Sequence, residues 1–102
     1  MSKSLPTCYA VYYRNMSERA RELGYGLALH GSLLRDADMI AVPWNERAVS
    51  PEELAAAMVE VTGGYLEPRV TEKPHGRIAR VIQLGAHQYI DLSIMPRVGG
   101  GT

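Results

Sequence analysis

One stretch in the middle of the chain is marked as a helix at both ends, and everything else must fold around it. Ser50 stands where an N-cap would, Pro51 suits the first helical turn, and Glu53 completes a capping box with Ser50. Leu54, Ala57, Met58 and Val61 recur at helical spacing and share one side. Gly63-Gly64 after Thr62 supply a left-handed stop. The outcome is a short amphipathic helix through Val61 whose apolar stripe needs another layer to cover it.

Residues 8–23 predict an earlier helix. Tyr9, Tyr13, Met16, Ala20 and Leu23 fall on one face, with Thr7 as N-cap and Gly24 as the stop. Arg14, Arg19 and Arg21 lie off that stripe, as on a solvated face. Between the helices, residues 26–30 and 38–42 read as neighbouring antiparallel strands, the second ended by Pro43. Residues 65–77 are dense in Pro, Gly and charge and read as a loop. Residues 78–84 and 88–94 read as a hairpin turning at Gly85-Ala86-His87. The order α-β-β-α-β-β defines an α+β domain, two helices packed on a mainly antiparallel four-stranded sheet. It spans residues 1–98, and residues 99–102 read as a flexible Gly-rich tail.

Composition excludes several functions. Eleven Lys and Arg balance eleven Asp and Glu, which argues against a general nucleic-acid coat or a polybasic membrane binder. A hydrophobic fraction of 46% argues against disorder. No apolar run reaches the roughly 18 residues of a membrane span, and residues 1–6 lack the apolar stretch of a signal peptide. The lone Cys8 cannot form an internal disulfide, which fits a cytoplasmic protein; it reads as a small buried residue. A chain of 102 residues rarely encloses a ligand by itself, so a homo-oligomer is expected.

The chemistry is concentrated in residues 30–42. His30 precedes a Gly31-Ser32 turn, whose exposed backbone N–H groups suit phosphate oxygens. Asp36 and Asp38 lie two apart, so in extended backbone their carboxylates point to the same side. Such a pair repels unless a divalent cation or a base stands between. In residues 89–94 the alternation puts Tyr89, Asp91 and Ser93 on the polar face of a strand, where Asp91 can converge with Asp36 and Asp38. Each feature also has a plain structural reading: Gly31-Ser32 as a hairpin turn, Asp36 as a turn cap, Asp38 paired with Arg35 or Arg77.

This Gly-Ser, Asp-x-Asp, Asp pattern resembles the nucleotidyltransferase superfamily of the polymerase-beta type. The resemblance implies that Gly31 and Ser32 hold nucleotide phosphates, and that Asp36, Asp38 and Asp91 bind magnesium. Where the family places a helix between turn and first acid, this chain has only Leu33, Leu34 and Arg35. Even one helical turn takes about 3.6 residues. The pattern is therefore truncated, and Arg35 offers Asp36 an internal counter-charge. Most of the chain is also similar to short uncharacterised proteins encoded by phages and prophages, through residues 30–44, 73–77 and 89–97.

Other residues complete the candidate site. Lys73, His75 and Arg77, around Pro74 and Gly76, would present an anion-binding edge or simply a solvated loop. Arg69 and Arg80 extend that basic edge. Trp44 reads first as a core plug and second as a stacking platform for a base. His30, His75 and His87 match no zinc-ligand spacing, and no nucleophile elbow is present.

Three functions are open to such a chain. The first is non-catalytic binding of a small phosphorylated nucleotide through His30, Gly31, Ser32, Arg35, Trp44, Lys73, His75, Arg77 and Tyr89. Its phage-like resemblance implies sequestration of a nucleotide signal of host immunity. The second is a minimal transferase using Mg2+ at Asp36, Asp38 and Asp91. The third is a structural or protein-interaction module in which the acids make salt bridges.

Overall fold

A computed structural model describes residues 7–30, 37–85 and 87–97. Helix α1 spans Thr7–Glu22 and helix α2 spans Pro51–Thr62. Six strands follow the chain as β1 (Tyr25–His30), β2 (Ala37–Pro43), β3 (Tyr65–Leu66), β4 (Thr71–Glu72), β5 (Ile78–Gly85) and β6 (Gln88–Ile94). A single 3-10 turn at Pro74–Gly76 precedes β5. The α+β class holds, with two helices on a mixed sheet of six strands.

The α2 boundaries follow the local chemistry. Ser50 Oγ accepts from the Glu53 amide at 3.1 Å, and Glu53 Oε1 accepts from the Ser50 amide at 3.1 Å. Gly63 takes up a left-handed φ of 73° and donates to the Val59 carbonyl, which closes the helix. Helix α1 starts on Thr7 itself, so Thr7 belongs to the first turn rather than standing before it. At its other end Gly24 has a φ of 94°, and a Cβ there would lie 2.6 Å from the Ala48 Cα. Glycine thus permits both the left-handed turn and the close approach of residues 45–48.

Strands β1–β2 and β5–β6 form the two expected antiparallel pairs. The order across the sheet is β1-β2-β6-β5-β3, with β4 also on β5. The seam joining the two hairpins, β2 against β6, is parallel. One correction concerns the sheet. It has six strands rather than four, because the segment read as a loop contributes β3 and β4 along β5. Two-residue strands are too short to show an alternation, and they exist only through their tertiary partner.

Both helices cover one face. Tyr25 and Leu27 of β1, Met39 and Ala41 of β2, and Ile90, Leu92 and Ile94 of β6 meet Met16 and Ala20 of α1 and Leu54 and Met58 of α2 in one core. The opposite face is open over β1 and the end of β2, where Gly26, Ala28 and Val42 are exposed. Trp44 follows Val42 in the same alternation and is 60% exposed, so the core-plug reading is overturned. The adjacent core-facing position is Pro43, and no helix covers the side on which Trp44 emerges. Among the described residues, no helix is long and apolar enough to cross a membrane.

Arg80 departs from the expected basic edge. It is 5% exposed and opposite Leu92, on the helix-covered face. Its Nη1 bonds Glu52 Oε1 at 2.5 Å and its Nη2 donates to the Glu67 carbonyl at 3.1 Å. Arg80 therefore ties the start of α2 to the segment leading into β4. An even position on β5 faces the core, and Ala79, like Arg77 just before the strand, faces away.

Candidate functional site

The open face carries the candidate site where β2 and β6 meet. The parallel register makes Asp38 the Cα partner of Asp91, and the β1–β2 register makes His30 the Cα partner of Asp38. Neighbouring strands lie about 4.8 Å apart, so the two acids are nearest neighbours across the seam. Both are half-buried. The alternation that buries Met39 and Leu92 turns Asp38 and Asp91 to the opposite face, as the sequence pattern implied.

The segment between β3 and β5 brings the cations. The Lys73 amide donates to the Arg77 carbonyl at 2.7 Å, which closes a tight loop around Pro74–Gly76. Within it His75 has a φ of 69° and Gly76 a φ of 79°, two left-handed residues in succession. This sharp reversal sets Lys73 and Arg77 side by side at the start of β5. Asp38, Asp91, Ser93, Lys73 and Arg77 then line one pocket of about 180 Å³. Ala79, next to Arg77 on this face, is only 8% exposed although it lies outside the core cluster.

The charges in the pocket are mixed. Among the described residues the ion pairs are Arg14–Glu18, Arg19–Glu22 and Arg80–Glu52, and none of them includes Asp38, Lys73 or Arg77. The pairing of Asp38 with Arg77 considered from sequence is thus not made. Arg77 Nε is buried without a hydrogen-bond partner among the described residues. Lys73 is exposed and Arg77 half-buried, so one cation stands in solvent while the other lies closer to the sheet.

The remaining predicted residues divide. Tyr89 lies on β6 beside Gln83, on the face of Asp91, but does not line the pocket. His75 is exposed and also outside it. Trp44 is six residues along β2 from Asp38, about 20 Å away at strand rise. Gly31, Ser32, Arg35 and Asp36 lie outside the described residues. Among those described, no group of three His, Cys, Asp or Glu side chains could hold a metal ion, and Asp38 with Asp91 form a pair. Ser93 joins the pocket, and its signal was its place in the alternation with Asp91.

A volume near 180 Å³ is below the roughly 300–1,000 Å³ of an ordinary small-molecule site. It has room for one phosphoryl group or a hydrated cation. The larger concavity, about 670 Å³, is at the far end of β2 and is lined by five consecutive residues, Pro43 to Arg47. No known family, curated protein or solved structure matches the chain.

Proposed function

We propose that this protein binds a small phosphorylated nucleotide without transforming it. The supporting observation is the convergence of Lys73 and Arg77, from one closed loop, on the adjoining acids Asp38 and Asp91. The guanidinium of Arg77 offers a fork of donors to phosphate oxygens, and Lys73 adds a compact positive charge. Ser93 adds a hydroxyl that can donate or accept. Asp38 and Asp91 accept from ribose hydroxyls or hold a magnesium ion that travels with the phosphates. The nucleoside then lies on the open face towards Ile40, the Cα partner of Ser93. Loss of catalysis follows from the three residues separating Ser32 from Asp36, which leave no room for the helix of the transferase pattern.

Calorimetric titration with linear and cyclic nucleotides, with and without magnesium, tests this reading. Saturable binding that Arg77→Met weakens at least tenfold supports it. Heat-silent titrations across the whole panel overturn it.

A second reading, a minimal nucleotidyltransferase, is favoured by the in-register pair Asp38 and Asp91. Labelled nucleoside triphosphates and magnesium separate the two. Product formation that disappears in Asp38→Asn establishes the transferase, and its absence beside tight binding leaves the binder.

A further inference from the structure

The far end of β2 has the composition of a contact surface. Trp44 is 60% exposed, and Val42, two residues before it, is 47% exposed. The Trp44 amide donates to the Gly24 carbonyl at 2.8 Å, and the Val49 amide donates to the Leu23 carbonyl at 3.0 Å. Between these anchors Asn45 Oδ1 accepts from the Arg47 amide at 2.8 Å. Gly24 lets this turn approach the α1–β1 junction closely. The indole is thus displayed on a backbone tied down at both ends. Rigid, exposed Trp with neighbouring Arg is the composition of an interface centre.

The shape of this region fits a protein surface better than a small ligand. Its concavity is formed by five consecutive residues of one turn rather than by groups converging from several elements. On its other side Trp44 borders a shallow depression with Arg21, Tyr25 and Gly26.

We propose that Trp44, Val42 and the Glu46–Arg47 turn form the centre of a two-fold interface with a second copy of this chain. The first argument is charge. Glu46 and Arg47 are adjacent, exposed, and in no ion pair among the described residues. An isologous interface sets residue i against j′ and j against i′, so opposite charges side by side satisfy each other across the two-fold. The second argument is long-range. The formal net charge is zero, so two copies meet without mutual repulsion. The third is the sheet edge. Tyr13 Oη donates to the Leu27 carbonyl at 2.9 Å and covers the middle of the free edge of β1, which disfavours strand pairing between copies there. The proposal is independent of the ligand pocket, which lies at the other end of β2.

Sedimentation equilibrium on the full chain, over a wide concentration range, tests it. Trp44 is the sole tryptophan, so its emission reports the same event. The expected result is a monomer–dimer equilibrium with a blue shift of emission on association. Trp44→Ala weakens dimerisation on the order of 30-fold or more, as for a central interface residue. Circular dichroism shows that the exposed substitution leaves the fold intact. Glu46→Arg and Arg47→Glu each weaken the dimer alone, and an equimolar mixture of the two variants restores it. A monomer at every concentration overturns the proposal, as does a dimer indifferent to Trp44→Ala. Failure of the mixed charge variants to associate overturns the two-fold arrangement.

Discussion

Asp38 and Asp91 face each other as Cα partners across a parallel seam of the sheet. Each is carried by a different hairpin, and Lys73 and Arg77 reach the same pocket from a third segment. Like charges directly opposite in a sheet are unfavourable, and the two cations offset them. The pocket thus holds acidic and basic side chains together.

Substituting Asp38→Asn keeps the size of the side chain and removes one charge from this pair. We expect nucleotide affinity in the presence of magnesium to fall at least tenfold, about 1.4 kcal/mol. The melting temperature of the ligand-free chain stays level or rises slightly, since a repulsion is relieved. Titration calorimetry and thermal melts on the same samples check both halves. A matching loss of stability and affinity points to a structural acid.

Ser50→Ala removes the oxygen that accepts from the Glu53 amide at 3.1 Å. A lost N-cap costs about 1 kcal/mol. For a domain of this size the melting temperature drops by roughly 4–8 °C. Ser50→Asp, which keeps an acceptor and adds favourable charge at the helix start, holds the wild-type value.

Tyr13→Phe deletes the donor to the Leu27 carbonyl on the outer edge of β1. The net cost is about 0.5–1.5 kcal/mol, since water replaces part of the bond. The larger effect is on association. An apolar edge strand without its guard is a template for pairing, so light scattering on heating should start earlier than in the parent chain.

Tyr25 connects stability to alkaline pH. Burial pushes its phenol above its ordinary value of 10.0, Arg97 opposes the shift and Glu53 adds to it. Its hydroxyl donates to the Val49 carbonyl at 2.7 Å. Below pH 10 folded and unfolded chains both keep the proton, and the contribution is complete. Above it the unfolded chain releases the proton first, so stability falls as pH rises towards the folded value. Melting curves between pH 8 and pH 11, to give about three units of range, should show a steeper alkaline decline for the parent chain than for Tyr25→Phe. The variant starts lower at neutral pH because it lacks the bond to Val49.

Arg80→Met exchanges a buried cation for an apolar side chain of similar length. The partner Glu52 is largely exposed, so little of the pair's attraction survives solvent screening. Global stability should change by less than about 2 kcal/mol in either direction. The bond from Arg80 to the Glu67 carbonyl disappears, however, and with it a tether of the segment that carries Lys73. Faster amide exchange at Glu67 and Lys73, with unchanged exchange in α2, is the expected signature.

Local chemistry made much of this fold legible. The cap at Ser50, the stop at Gly63, the strands β2 and β5 and the alternation in β6 each arise from neighbouring residues, and each appears where the sequence places it. The same alternation assigned Asp91 and Ser93 to the open face. It also had the means to place Arg80, whose even position on β5 sets it opposite Leu92 in the core. What the sequence does not encode locally is which hairpin edge meets which. The parallel register of Asp38 with Asp91 depends on contacts between segments some fifty residues apart. Strands β3 and β4 were hidden for the same reason, and Trp44 was misplaced because exposure depends on which face a helix covers.

The parallel seam also has a kinetic meaning. The β1–β2 and β5–β6 hairpins are local and can form early, within their own stretches of chain. Joining β2 to β6 closes a loop that contains α2 and the 65–77 segment, and its entropy is lost before its contacts are gained. The acid pair comes into being only at that last docking step. Refolding followed at the pocket should therefore lag behind refolding followed at either hairpin, and a chain with its hairpins apart has not yet formed the pocket.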